Sequence, residues 1–595
     1  MKIITITQHT RLALAIAALG ALAASPAQAV KFDLENGVSG SFDSTVSFGM
    51  QQRVQSRDKS IIGNDSGGSV PITGRLGELV NGPGQGATSN PDFNYANIDD
   101  GNLNYKRGDI VSAVLKGTHE LSVGERGNWA ALARVTWSSD FAATHTERTP
   151  LHDDAKDALR KNISLLDLWV SKDFKLGDNS AKVKFGNQVI NWGEDIFIFG
   201  GINSIHAFDV RKAHIPGTQV KEILIPAPML SLSSALGGGF SMETYYQFAW
   251  NSFKLDPAGS YWSAADFLGK GGKRGAFFPS SLGVGGTGDF DPTRGRTLAS
   301  LSQANGGAGI IPVERDKPDS GGQYGLNLRF KPASGDTEYA AYYMRYHDKL
   351  PFVGFKVNSA PNVLGITAVE QYGQDLDLFG VSLNTKLGDW AIGAELSYRP
   401  KDSVAIDPTV PAQTGSRSKA QHNLAALSNG YTTHAEAKGF VGEKKYQAQA
   451  TAFTFLPTEL TRALGAADGA FLAEVGVAHY ASLDLSGAVP YLLNNYSLPN
   501  KTSWGYVAEV SLTYANVFNS GWTMTPLIDF FHDVKGTSPN ATPFVEGRKA
   551  VAIALNFDYH NEWKVGLGYS TYFGGGNLNV IKDRDVVTAT LSHAF

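Results

Sequence analysis

The densest group of residues able to do chemistry runs Phe185-Gly186-Asn187-Gln188-Val189-Ile190-Asn191-Trp192-Gly193-Glu194-Asp195 and on to Gly200-Gly201. Glycines bracketing Gln188 and Trp192, followed by adjacent acids, read as a strand that ends in a tight turn needing unusual φ. Gln188, Trp192 and Glu194 are therefore the first candidates for a polar constriction. Elsewhere the signals are thin. Gly283-Val284-Gly285-Gly286-Thr287-Gly288 fits a dinucleotide fingerprint, but it lies in a glycine-rich loop without the strand and helix that such a motif requires. The acidic clusters Asp99-Asp100 and Asp289 with Asp291 lack the spacing of a calcium loop and read as solvated turns. His152-Asp153-Asp154 and His347-Asp348 identify no nucleophile. No catalytic residue, metal or cofactor is assigned.

The chain that must position these residues has 595 residues, no cysteine, 66 glycines, 64 aromatics and only 18% charged residues. Without sulfur there is no disulfide framework, no Cys-ligated metal and no thiol nucleophile. A net charge of −4 offers no basic surface for nucleic acid. Length alone suggests about four soluble domains. The distribution of apolar residues argues instead for one closed sheet.

Residues 1–29 carry Lys2 and Arg11, an uncharged stretch from Leu12 to Ala24, and the small-residue pattern Ala27-Gln28-Ala29. These three parts in that order describe a secretory signal peptide cleaved after Ala29. No later segment has about 18 uninterrupted apolar residues, which leaves a β-barrel as the way for an exported chain to cross a bilayer.

Period-two alternation supports that reading. In 504–514, Trp504, Tyr506, Ala508, Val510, Leu512 and Tyr514 share one face, with aromatics at both ends and aliphatics between. That is what a lipid-facing strand needs, because amphipathic rings prefer the two interfaces. The pattern recurs at 129–137, 242–250, 324–330, 390–398, 551–559 and 563–573. Counting all candidates, including a weak one at 218–226, predicts an all-β, transmembrane, antiparallel up-and-down barrel of 16–18 strands. It would occupy 30–595 as a single domain. Short turns at 388–389 and 561–562 alternate with long extracellular loops, the largest at 51–107, 254–321 and 401–443, with shorter inserts at 141–161 and 484–502. Sixteen to eighteen strands leave a water channel unless something fills it, and 51–107 and 254–321 are long enough to do so.

If the aromatic faces meet lipid, the alternate positions point inward. These are Arg134, Glu243, Arg329, Arg345, Glu395, Arg399, Glu509, Asp529 and Asp558, a mixture of signs that suits wall-bracing salt bridges or a polar track for a solute. At the C-terminus Val587, Ala589, Leu591, His593 and Phe595 share a face. The terminal Phe595 after Leu591 resembles the signal by which outer-membrane proteins reach the barrel assembly machinery.

The G-x-Q-x-x-x-W-G-E run at 186–194, together with the signal peptide, the length and the terminal Phe, resembles a family of proteobacterial outer-membrane proteins known only as a domain of unknown function. The resemblance covers essentially the whole mature chain. It implies a Gram-negative outer-membrane location and neighbours in the form of a periplasmic or lipoprotein-like partner and an inner-membrane exporter of the resistance-nodulation-division type. It also implies a part in moving an apolar molecule across the envelope. The expectation is a non-catalytic barrel that passes or hands over a hydrophobic or amphipathic solute. The alternative is a structural, adhesin-like barrel that binds partners through its loops.

Overall fold

A strand in hydrocarbon must pair every backbone N–H and C=O with a neighbour, so a sheet there has to close on itself. The computed structural model of the chain, which describes residues 30–34, 37–63, 66–70, 93–276, 310–357, 366–406, 436–486 and 489–595, shows such a closure. Its main sheet holds eighteen antiparallel strands in sequence order around a ring, with the short segment Val30–Asp33 paired as an extra edge to the start of the first strand. The ring is sealed where the first strand, Val38–Arg53, pairs with the last, Val586–Ala594, from Thr45↔Ala594 to Arg53↔Val586.

The strands alternate as the sequence predicts. On Trp390–Ala405, Gly393, Glu395, Ser397 and Arg399 are buried inward while Trp390 and Leu396 are exposed outward. The outward belt, which includes Val381, Leu396, Val510, Ile553 and Leu567, is a larger exposed apolar surface than water tolerates on a monomer. It is the lipid-contacting face of an outer-membrane barrel. Among the described residues no helix is long and apolar enough to cross a membrane. Turns at 177–178, 238–239 and 388–389 close one end with two residues each, and although 456–467 at that end carries the helix Thr458–Ala463, the longest connections emerge at the other. Ala27 and Ala29 lie outside the described residues, as do Gly283–Gly288, Asp289, Asp291 and large parts of the three longest loops.

Two expectations need correction. Residues 218–226 do not form a wall strand: they carry the short helix Val220–Ile223 and the two-residue strand Leu224–Ile225, and the wall strand is Ala227–Gly237. Val220, Leu224 and Pro226 lie next to a true strand and have the alternation of its start. Arg345 is also misplaced, since on Glu338–Tyr346 it is Ala340, Tyr342, Met344 and Tyr346 that are buried inward. Arg345 instead faces outward at the rim beside Asp375 (3.4 Å) and Asp377 (3.9 Å). With tyrosines on both faces of that strand, aromatic content could not tell inside from outside.

One further departure from regular alternation shapes the interior. Between strands 129–140 and 162–176 the register shifts, Ala133 pairing with Leu168 but Val135 with Leu165. The extra residue is a β-bulge, and it turns both Leu166 and Asp167 inward while Leu165 and Leu168 stay exposed. Asp167 thereby meets Arg134, which also holds Glu120 at 2.7 Å.

The two faces should respond differently to charge. Val510→Arg, near the middle of an outward face, is expected to cost roughly 2–4 kcal/mol, whereas Asn556→Arg on an exposed inward position should stay within about 0.5 kcal/mol. Urea unfolding of the vesicle-inserted protein measures both.

Candidate functional site: a loop clamped inside the barrel

The segment 189–226, which joins strands Asn179–Gln188 and Ala227–Gly237 at the long-loop end, folds into the lumen and contacts the wall on opposite sides. At one side Lys116 pairs with Glu222 (3.1 Å, both side chains about 95% buried), and Pro216 and Gly217 lie against Gly49 and Thr590. At the other, Trp192 seats over Gly325, where any Cβ would overlap the indole. Its Nε1–H donates to Glu243 (2.7 Å), and its ring packs against Tyr245 and Tyr342 with centroids 5.2 and 5.8 Å away.

A loop without regular structure inside a barrel has backbone N–H groups that nothing in its own fold can satisfy. Wall carboxylates supply the partners. Glu395 accepts from the N–H of Glu194 (2.6 Å) with one oxygen and of Ile202 (2.8 Å) with the other. Glu474 Oε2 accepts from the successive N–H groups of Ile196 (3.2 Å), Phe197 (2.5 Å) and Ile198 (3.2 Å). The loop's carbonyls are met by donors: Arg399 reaches Gly200 and Gly201 (2.7 and 2.6 Å), and Gln447 and Gln449 donate to Phe199 and Ile198 (2.8 and 2.6 Å). Bonds to charged groups contribute about 1.5–3 kcal/mol each, and this set offsets part of the entropy lost in ordering the segment. Glycine is required at Gly193 (φ +94°), where a side chain would also collide with Glu395, and at Gly201, which lies between Glu395 and Gln449.

His206 closes the loop on itself. It is fully buried, which pushes its pKa down to about 3, and so it is neutral. Its Nε2 accepts from Ile190 N–H (2.9 Å), which leaves Nδ1–H to donate to Ile225 O (3.2 Å), tying the loop's entry to its exit. Asp195 lies between the clamps. Burial raises its pKa to about 8, with the charges of Glu395 and Glu474 adding to the shift, so it is mostly protonated at neutral pH.

The sequence candidates thus fall into three groups. Trp192, Glu194, Glu243, Glu395 and Arg399 come together around the loop, with Glu194 accepting from Ser382 (3.2 Å) and Asn384 (2.9 Å). Gln188 lies at the strand end, fully buried, bonded to the carbonyls of Lys184 and Met229 and to Ser231. Arg329 with Glu338 (3.1 Å), Glu509 opposite Asp529, and Asp558 with Lys564 (3.2 Å) belong to the wall away from the clamp, whereas Arg134 holds Glu120, which also meets Lys221 of the loop (3.6 Å). Sequence reasoning missed Glu474, Gln447 and Gln449, although their parity on strands 468–480 and 440–455 marks them as inward polar positions. Of the acidic pairs, Asp99 accepts from Gly63 N–H and Asp100 from Thr149, so both pack loops. Among the described residues no three His, Asp or Glu side chains are arranged to hold a metal.

Above the clamped loop, on the long-loop side, opens a cavity of 1410 Å³. Its floor is Ile196, Phe199 and Val220 of the loop, and its sides include Phe208, Phe253, Leu255 and Leu350–Val353. Apolar surface dominates it, but charged and polar groups also line it, among them Asp195, Asn203, Lys349, Arg399, Asp402 and Lys445.

This architecture defines an outer-membrane β-barrel of porin-like form with an inward-folded loop. The chain belongs to the family described as Protein of unknown function (DUF1302), whose model matches residues 10–595. No curated protein matches it in sequence. Solved barrels similar to it include Pseudomonas aeruginosa OpdK with vanillate, at 11% identity and TM-score 0.37 over 93% of this chain and 98% of that one. Acinetobacter baumannii OccAB3 is similar at 8% identity and TM-score 0.40, over 93% and 99% of the two chains. A BenF-like porin from Pseudomonas fluorescens Pf-5 is similar at 10% and 0.39, over 93% and 98%.

Removing the clamp charges should free the loop. In Glu395→Gln/Glu474→Gln, chymotrypsin is expected to cut after Phe197 or Phe199 under conditions that leave the unaltered protein intact. Conductance in planar bilayers should rise in the same variant.

Proposed function

We propose that the protein is a non-catalytic outer-membrane barrel that takes a hydrophobic or amphipathic solute into the cavity above the clamped loop and passes it across the membrane. The observation that carries this reading is the floor of that cavity. Ile196, Phe199 and Val220 are 53, 52 and 74% exposed, not to lipid but to the inside of the barrel. Leaving such side chains in water forgoes about 25 cal/mol per Å² of apolar surface. Covering them with an apolar ligand recovers it, whereas a channel for small polar solutes gains nothing from them.

The wall beyond the loop supports passage. The inward faces of strands 549–559 and 563–573 carry only Ala550, Ala552, Ala554, Asn556, Gly566, Gly568 and Ser570 along their middles, leaving space beside the loop for a solute. The cavity lies on the side of the long loops, which in bacterial barrels is the outside.

Purified protein should bind the neutral fluorophore N-phenyl-1-naphthylamine, and Phe199→Arg should weaken that binding about tenfold or more. Because Asp195 is neutral below its raised pKa and charged above it, affinity should hold at about pH 7 and fall by about pH 9. Asp195→Asn should make that fall smaller. Absence of fluorophore binding by the unaltered protein would refute the proposal.

A further inference from the structure

Resting on the reading of the cavity as a site for apolar solutes, we infer that the solute exchanges sideways with the outer leaflet of the membrane, over a low stretch of wall at strands 240–247 and 323–330, rather than along the barrel axis. The first observation is wall height. Val38–Arg53, Ile110–Glu125, Trp390–Ala405, Phe440–Phe455 and Thr502–Val517 each have 16 residues, but Phe240–Gln247 and Gln323–Phe330 have 8. Eight residues at about 3.3 Å, tilted by roughly 40°, rise only about 20 Å. The apolar band of such barrels is about 25 Å tall, and a crossing strand takes about 9–11 residues. The strand beginning at Phe240 follows the two-residue turn Gly238-Gly239 directly, so the whole shortfall falls at the long-loop end.

The second observation is what replaces the missing wall. After Gln247 the chain leaves the sheet and crosses from outside to inside within a few residues. Phe248 is 45% exposed on the outer face, beside Phe185 and Tyr246 with ring centroids 6.0 and 5.4 Å away. Phe253, five residues on, lines the cavity. From Phe253 the rings continue edge to face, to Phe208 at 5.2 Å and from Phe208 to Phe199 at 5.1 Å. Aromatic rings therefore lie on both sides of this short sector, Phe185, Tyr246 and Phe248 on the lipid face and Phe253, Phe208 and Phe199 toward the cavity floor, with Phe248 and Phe253 five residues apart along the chain. Irregular backbone at membrane depth is tolerated only where it is buried or lines a cavity, and here it lines the cavity.

The chain has no cysteine, so a single introduced thiol can be labelled selectively. Full-length Phe253→Cys carrying a bimane label, in vesicles doped with lipids bearing a nitroxide on the acyl chain, should lose at least half its fluorescence. A label at Thr542→Cys, in the loop on the far side of the cavity, should keep its own. Separately, Phe248→Arg should slow transfer of an NBD-labelled fatty acid from loaded protein to vesicles about tenfold while leaving N-phenyl-1-naphthylamine binding in detergent unchanged. An unquenched bimane, or unaltered transfer with binding intact, would overturn the lateral route and leave the cavity reading standing. Loss of fluorophore binding by the unaltered protein would overturn both.

Discussion

Everything in this molecule follows from the need to satisfy backbone hydrogen bonds where water is absent. In the hydrocarbon region that need closes eighteen strands into a ring through the pairing of Val38–Arg53 with Val586–Ala594. A ring of that size encloses a wide lumen, and a lumen admits both water and chain. The same constraint then reappears inside, because a segment that enters the lumen brings peptide groups that need partners.

The wall meets that second demand with side chains instead of strands. Glu395 and Glu474 act toward the loop as capping residues act toward a helix end, each collecting N–H groups that have no partner within their own segment. Arg399, Gln447 and Gln449 do the converse for its carbonyls. This explains why the lumen shows mixed signs of charge. The anions and cations are matched to backbone donors and acceptors of the inserted loop as much as to each other. Once the loop is held, Ile190, Trp192, Ile202 and Ile205 are buried against the wall, while Ile196, Phe199 and Val220 are left exposed as the floor of a cavity.

Uneven strand length then gives the barrel a direction around its circumference. Sixteen-residue strands stand on either side of a sector whose strands have eight and nine residues, and aromatic rings of the lipid face and of the cavity lie close to that sector. The clamped loop ends at strand 227–237, which borders this sector, and so the floor of the cavity lies next to it.

The barrel itself was legible in the sequence because lipid imposes a local rule: alternate residues must be apolar, aromatics mark the interfaces, and turns are short at one end. Trp504 to Tyr514 carries that rule without help from any other segment. Trp192, Glu194, Glu395 and Arg399 were conspicuous for the same reason, at a strand end or on an inward face, and the structure brings them together around the loop. What alternation could not decide was which segment enters the lumen. Residues 51–107 and 254–321 are long enough to enter, and their described parts reach the cavity through Asn94, Ile98, Leu255 and Phe267, but it is 189–226, partly mistaken for a strand, that the wall carboxylates clamp. Nor could parity reveal that Arg345 faces outward or that Glu474 gathers three consecutive N–H groups. Those outcomes depend on which carboxylate meets which peptide across a closed ring, and such pairings exist only once distant strands have been brought together.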